Sequence, residues 1–491
     1  MMNEQGKSDN SILPKKSPNN GSKESAEAVE GRELAKGNLL GQNTHRTQYR
    51  ASVQSALERV RQAAKGDRRQ RLTALLHHVY APEMLEFCYY SVKRGAAAGI
   101  DGETWQHYGE SLAENLHDLS DRLKRGAYRA KPVKRVQIPK PDGRLRPIGL
   151  PALEDKIVQR AVAEVLNAVY EQEFLGFSYG FRPGRNPHRA LDALYVAIKV
   201  KKVSWVLDAD IREFFDTLSH EWLVKFIEHR IGDRRIIRLI QKWLKAGVLE
   251  DGKRVVKEVG TVQGGSISPV LANIYLHYVF DLWAHRWRRK HARGEVYLVR
   301  FADDVVAGFQ HQHEAEEFLE DLKQRFSKFA LQLHPGKTRL IEFGRFAAEN
   351  RRNRGEGKPG TFNFLGFTHI CGKTRSGKFT VLRKTIRKKL TAKLKEVRAE
   401  LRHRMHEPVP TQGAYLRSVV SGHIRYFGVP TNGGCITVFH REVGRMWMKV
   451  LRRRSQKHNL KWERMKRLIA KWLPPARVCH PYPEVRFGAI T

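Results

Sequence analysis

Residues 297–309, YLVRFADDVVAGF, are two short apolar runs parted by the adjacent carboxylates Asp303 and Asp304. Runs of this length on either side of turn-forming residues read as two buried strands joined by a hairpin, because Asp is favoured where a chain reverses. Such a hairpin commits the chain to a buried sheet with an acidic tip. A second reading attaches to the same two side chains. Hard divalent cations take carboxylate oxygens, and phosphoryl transfer with two metals uses a carboxylate able to bridge them, so the tip is also a candidate magnesium site. That reading requires a third carboxylate from elsewhere.

Residues 204–220, SWVLDADIREFFDTLSH, supply it: an apolar strand start, then Asp208 and Asp210, then Phe214 and Phe215. Asp208 and Asp210 share a face if the strand continues, so a period of two does not choose between them. One of them beside Asp303 would leave the backbone carbonyl of Ile211 as a further metal ligand. The competing reading is a cap, with Asp210 starting a helix over IREFF. A third stretch, GTVQGGSISPVLANIYLHYVF from residue 260, opens an apolar helix. Its two glycines after Gln263 admit a close backbone approach, Ser266 and Ser268 can cap, and Pro269 suits the first turn. Near two metal-ligand segments it reads as a platform for a nucleotide and its template.

Charge narrows the partner. The 90 Lys+Arg against 51 Asp+Glu give a formal net charge of +39, and 9% aromatic residues are too many for a solvated basic tail. A polyanion is the natural partner. No run approaches the roughly 18 apolar residues of a spanning helix, so no membrane is expected. The four cysteines, Cys88, Cys371, Cys435 and Cys479, form no C-x-x-C pair, which argues against a disulfide framework or a zinc knuckle. Residues 1–48 are rich in Ser, Asn, Gly, Lys and Glu and read as a disordered tail with no secretory apolar core, implying an intracellular protein. The stretch 133–150 alternates apolar and basic residues around a PDG turn, a hairpin signal with cations on both arms. Helical and strand patterns are mixed through the middle of the chain, so the class is α+β. From residue 383 to 404 there are ten Lys/Arg against two Glu, while Ile386, Leu390, Leu394, Val397, Leu401 and Met405 keep helical spacing. One face packs and the rest is basic.

These blocks, with GAAAGIDG, IPKPDGRLRPIGLPALEDKIVQRAV, FSYGFRPGRNPHRAL, LHPGKTRLIEFG, FNFLGF and LRSVVSGHIRYFGVPTN in the same order, resemble the reverse transcriptases encoded by group II introns, which are also maturases. The resemblance covers roughly residues 85–490. It implies a right-hand polymerase fold: a helical N-terminal extension over 49–125, fingers and palm over 126–372, a mainly helical thumb or maturase domain over 373–476, and a short tail over 477–491. It also implies that Asp210, which directly precedes Ile211, joins Asp303 in holding Mg²⁺, with Asp304 as a weaker third carboxylate. Phe215 falls at the family's aromatic gate against the ribose 2′-hydroxyl, a use of the one group separating RNA from DNA precursors. Lys140 and Arg146 match fingertip cations on the incoming triphosphate, with Arg144 close enough to substitute, and Gln263 lines the nucleotide pocket. Lys337 matches a lysine proposed to protonate pyrophosphate, although a lone lysine after a turn is more often simply solvated. Departures are small: Phe301 stands where Tyr is common, and GGSIS replaces the usual GAVIS or SVIS.

The expected function is an RNA-directed DNA polymerase that binds its group II intron RNA, assists splicing, inserts into target DNA and consumes deoxynucleoside triphosphates. The alternative is an RNA-binding splicing cofactor with little polymerase activity. The expected location is the bacterial cytoplasm, on the nucleoid when acting on DNA. No His-Asn-His endonuclease is expected, which leaves priming from a nascent strand at a replication fork.

Overall fold

The computed structural model describes residues 39–139, 145–250, 253–255, 259–261, 264–454 and 460–487. Among these, eleven strands form three sheets. β1 (Val133–Pro139) and β2 (Leu145–Leu150) are the expected hairpin, antiparallel from Lys134↔Leu150 to Pro139↔Leu145. β3 (Trp205–Asp210) lies inside a second sheet. β4 (Val248–Glu250) runs parallel to β1, and β5 (Lys253–Val255) closes the first sheet. β6 (Val296–Phe301) and β7 (Asp304–Phe309) are the hairpin with the acidic tip. With β8 (Arg339–Glu342) they give the order β6-β7-β3-β8, antiparallel throughout. β9 (Phe362–Phe364), β10 (Phe367–Lys373) and β11 (Phe379–Thr385) make the third.

Alternation along the second sheet divides its two faces. Leu207 and Ala209 of β3, Leu298 of β6 and Val305, Ala307 and Phe309 of β7 point into the largest core, together with the helices Leu153–Tyr170 and Ser268–Leu276. On the other face, Val206, Val299 and Val306 pack with the helix Pro187–Val200 and with Phe362, Phe364 and Phe367 of the third sheet. Each fully buried side chain of this size contributes roughly 1.5–3 kcal/mol relative to exposure. A sheet covered on both faces needs apolar residues at every position, which is why these strands read as continuous apolar runs.

Helices obey the expected patterns. In Arg234–Lys245, Ile236, Ile237, Leu239, Ile240 and Trp243 are buried while Arg234, Arg235 and Arg238 stay exposed. Asp233 caps it by accepting from Arg235 N, and its other oxygen accepts from the amides of Leu75 and Leu76 at 3.0 and 2.9 Å. Toward the C-terminus, Arg387–His403, Val409–Phe427, Gly433–Arg452 and Trp462–Trp472 surround their own core around Trp447, Phe439 and Val397. Val397 and Leu401 are buried there, and Leu390, Leu394 and Met405 pack against it, so the apolar stripe read in the sequence is the packed face.

Some boundaries differ from the sequence reading. A helix begins at Leu39, inside the stretch expected to be a disordered tail over 1–48, and residues 1–38 lie outside the described residues. β11 falls after residue 372, where helix was expected to dominate, because its cross-strand pairs with β10 run on to Phe367↔Thr385. The short C-terminal tail contains the helix Pro483–Phe487, whose Glu484 pairs with Lys199. Ser266 and Ser268 do not cap: the helix starts after Ile267 with no side-chain cap, and Pro269 occupies the first turn as expected. Among the described residues, no helix is long and apolar enough to cross a membrane.

Candidate active site

Along the face that carries Val206, the second sheet changes from apolar to acidic. Asp208 lies opposite Val306, and one pair further on Asp210 lies opposite Asp304, which in turn pairs with Phe301. Ala302 and Asp303 therefore form a two-residue turn, and Ala302 takes φ 57°, a left-handed conformation that costs a non-glycine residue about 1–2 kcal/mol. Asp208, Asp210 and Asp304 thus share one end of one sheet face, with Asp303 in the turn beside them. Burial, followed by the negative charges of Asp303, Asp210 and Asp208, pushes the Asp304 carboxyl up to about 7, with Lys389 opposing. Burial also pushes Asp208 up to about 6, against its contact with Arg339 and with the charge of Asp210 adding to the rise.

Cations come to these carboxylates from distant parts of the chain. Lys337 Nζ lies 2.7 Å from Asp210 Oδ2, and Arg339 Nη2 lies 3.4 Å from Asp208 Oδ2. The segment bearing Lys337 is docked by backbone bonds: Arg212 N donates to Gln332 O, and His334 N donates to Asp210 O, each at 2.8 Å. Ile211 is buried in the main core between those two bonds, which fixes its backbone beside Asp210. Asp210 does not cap a helix over IREFF. The helix there is Phe214–Thr217, preceded by Glu213 at φ 47°.

An all-oxygen, self-repelling donor set fits a hard divalent cation. Among the described residues, no three His, Cys, Asp or Glu side chains already form a closed metal cage. The carboxylates converge electrostatically without being drawn together into one.

Phe214 is buried in the main core, whereas Phe215 is half-buried and meets it edge-on at 5.4 Å. The backbone of Phe215 is stitched to the loop before the platform helix, since Thr261 N donates to Phe215 O at 2.7 Å. A pocket beside it is lined by Arg135, Pro147, Gly149, Asp216, Gly260 and Thr261. Gly264, at φ 115°, sits where a Cβ would come within 2.4 Å of Gly149 O, so the loop touches the base of the first hairpin. Gln159 holds the same loop by accepting from Ser266 N at 2.9 Å. Of the remaining expected residues, Lys140, Arg144 and Gln263 lie outside the described residues, as does the side chain of Arg146, whose backbone pairs with Ile138.

Sequence reasoning missed the partners of the carboxylates. Nothing local links Lys337 to Asp210, Arg339 to Asp208 or Lys389 to Asp304. Arg300 did carry a signal, because it is a lone charge inside an apolar strand run.

Comparison with known proteins finds similarity over the same part of the chain. The reverse transcriptase (RNA-dependent DNA polymerase) family matches residues 138–369. Protein YkfC of Escherichia coli strain K12 is 38% identical over 221 residues, 44% of this chain and 58% of that protein. Group II intron-encoded protein LtrA of Lactococcus lactis subsp. cremoris is 35% identical over 225 residues, 45% of this chain and 37% of that protein. Nuclear intron maturase 1, mitochondrial, of Arabidopsis thaliana is 28% identical over 114 residues, 23% of this chain and 16% of that protein. The chain thus spans somewhat over half of the first relative and about a third of the second. Residues 138–369 thus match the reverse transcriptase family, and over less than half of its length the chain is similar in sequence to group II intron-encoded protein LtrA.

Proposed function

We propose that the chain is an RNA-directed DNA polymerase that is also a maturase: it binds its group II intron RNA, assists splicing, and copies that RNA into DNA during retrohoming. The observation that carries this is the pairing of Asp210 with Asp304 across one sheet, with Asp303 in the adjoining turn, inside the region that matches reverse transcriptases. Fingers and palm correspond to 126–372 and the thumb or maturase domain to 373–476, following an N-terminal extension over 49–125. The work is placed in the bacterial cytoplasm and, with target DNA, on the nucleoid.

Asp210, Asp303 and the Ile211 carbonyl are the groups that would hold Mg²⁺, with Asp304 behind them. Magnesium bound there supplies Lewis-acid stabilisation of charge on the attacking and leaving oxygens. The chain's own residues do the rest. Phe215 crowds the ribose 2′-position and so favours deoxynucleotides. Lys140 and Arg146 orient the triphosphate by charge-assisted hydrogen bonds, and Gln263 lines its pocket. Lys337 Nζ, already beside Asp210, carries the proton that a departing pyrophosphate takes up. The exposed basic face of Arg387–His403, with Arg387, Lys388, Lys395, Arg398 and Arg402, offers contacts to RNA phosphates.

The test is primer extension on a poly-rA/oligo-dT template with Mg²⁺, run for the native chain, Asp210→Ala and Asp303→Ala, with splicing of the parent intron assayed alongside. Extension is expected from the native chain only, with splicing kept in all three. A native chain that splices but never extends would remove the polymerase half of the reading.

A further inference from the structure

The carboxylate turn costs energy, so something must hold it, and a buried arginine does. Arg300 is fully buried on β6, two residues before the turn. Its guanidinium donates from Nε and Nη2 to the two oxygens of Asp281 at 2.7 and 2.6 Å, and from Nη2 to Ser178 Oγ at 2.7 Å. Nη1 donates to Asn273 Oδ1 at 3.1 Å and to the carbonyl of Ala302, the strained turn residue, at 3.0 Å. Asp281 is itself fully buried.

The partners of Arg300 belong to four different parts of the fold. Asn273 lies on the platform helix Ser268–Leu276, and its Nδ2 donates to Gly180 O at 2.8 Å. A Cβ at Gly180 would fall 2.2 Å from Ala302 N, so only glycine lets that segment close on the turn. The segment is also stitched to β6, with Arg300 N donating to Phe177 O and Tyr179 N donating to Arg300 O. Asp281 ends the π-helical turn His277–Asp281 that follows the platform helix, a kind of turn frequent at functional sites.

We propose that Arg300 is a positioning residue that locks the Ala302–Asp303 turn, and with it the Asp303 carboxylate, to the helix that carries the nucleotide platform. A simple ion pair with Asp281 would need only a positive charge. The fork does more, because one planar group reaches the platform helix, the 178–180 segment and the turn carbonyl together. Lysine keeps the charge and loses the fork. The inference rests on the proposed reading of Asp303 as a metal ligand.

The test compares the native chain, Arg300→Lys and the charge-free pair Arg300→Met with Asp281→Met, which keeps the experiment decisive if the lysine variant folds poorly. Each is measured for thermal unfolding, Mn²⁺ affinity by electron paramagnetic resonance, and hydrogen exchange of the amides around residues 301–304. Whichever variants fold are expected to bind Mn²⁺ on the order of tenfold more weakly, about 1.4 kcal/mol, and to exchange faster at the turn. Folded variants with native Mn²⁺ affinity and native exchange would reduce Arg300 to a structural ion pair and overturn the proposal. Native chain that binds Mn²⁺ through Asp303 yet never extends a primer would defeat the polymerase reading and leave this inference standing.

Discussion

Two hairpins enter the proposed function, and they are built in opposite ways. β6–β7 is buried along nearly its whole length, and its turn is clamped by Arg300. β1–β2 projects outward, with Val136, Ile138 and Leu145 at 37%, 46% and 58% exposure. The difference matches what the proposed function asks of each hairpin. Metal-holding carboxylates repel one another and must be fixed before a cation arrives, whereas cations that grip a triphosphate must reach into solvent and follow it.

The contrast can be broken first at the carboxylates. Asp303→Ala is expected to remove several kcal/mol of transition-state stabilisation, about a thousandfold or more in kcat, with RNA binding unchanged in a filter assay. Next come apolar residues within each hairpin. Phe309→Ala, in the main core, should cost about 3–5 kcal/mol, while Ile138→Ala on the exposed hairpin should stay within about 0.5 kcal/mol. Unfolding midpoints of the two variants check this. Smaller effects belong to the outer hairpin's cations. Lys140→Ala or Arg146→Ala should raise the KM for deoxynucleotide on the order of tenfold, since a charge-assisted hydrogen bond is worth about 1.5–3 kcal/mol, with little change in Mg²⁺ dependence. A loss of Mg²⁺ affinity in either would mean that the two hairpins do not divide the work.

The smallest effect concerns pH. Asp304 is raised to about 7 by burial and its acidic neighbours, above its unfolded value near 4. The stability this allows the metal-free protein is fully present below about pH 4 and is lost as pH rises through about 7. Asp304→Asn should therefore raise the melting temperature of metal-free protein at pH 8 by a few degrees and change it little at pH 4. Added Mg²⁺ should stabilise the native chain more at pH 8 than at pH 5, because the ion binds the ionised form.

The strands and the Ala302–Asp303 turn were legible because they are local. YLVRFADDVVAGF and VSWVLDADI announce buried strands by composition, and the PDG sequence, itself outside the described residues, announces the antiparallel pairing of β1 with β2. Asp208 and Asp210 could not be separated by period, since both lie on one face. What separates them is across the sheet, Val306 and Arg339 for one, Asp304 and Lys337 for the other. β11 was obscured because its Arg383, Lys384 and Thr385 run into the basic helix, and only pairing with β10 shows them to be strand. The clamp on the turn was hidden for the same reason. Arg300 stands out in its strand, but its purpose depends on Asp281, Asn273 and Ser178, which no local pattern brings together.

The most direct measurement replaces Mg²⁺ with Fe²⁺ and maps where hydroxyl radicals generated at the bound ion cut the native chain. Cuts are expected within residues 208–212 and 301–305, suppressed by excess Mg²⁺ and absent from Asp303→Asn. Cuts confined to other segments, or cuts at these positions that persist in Asp303→Asn, would contradict a metal site built on the buried hairpin.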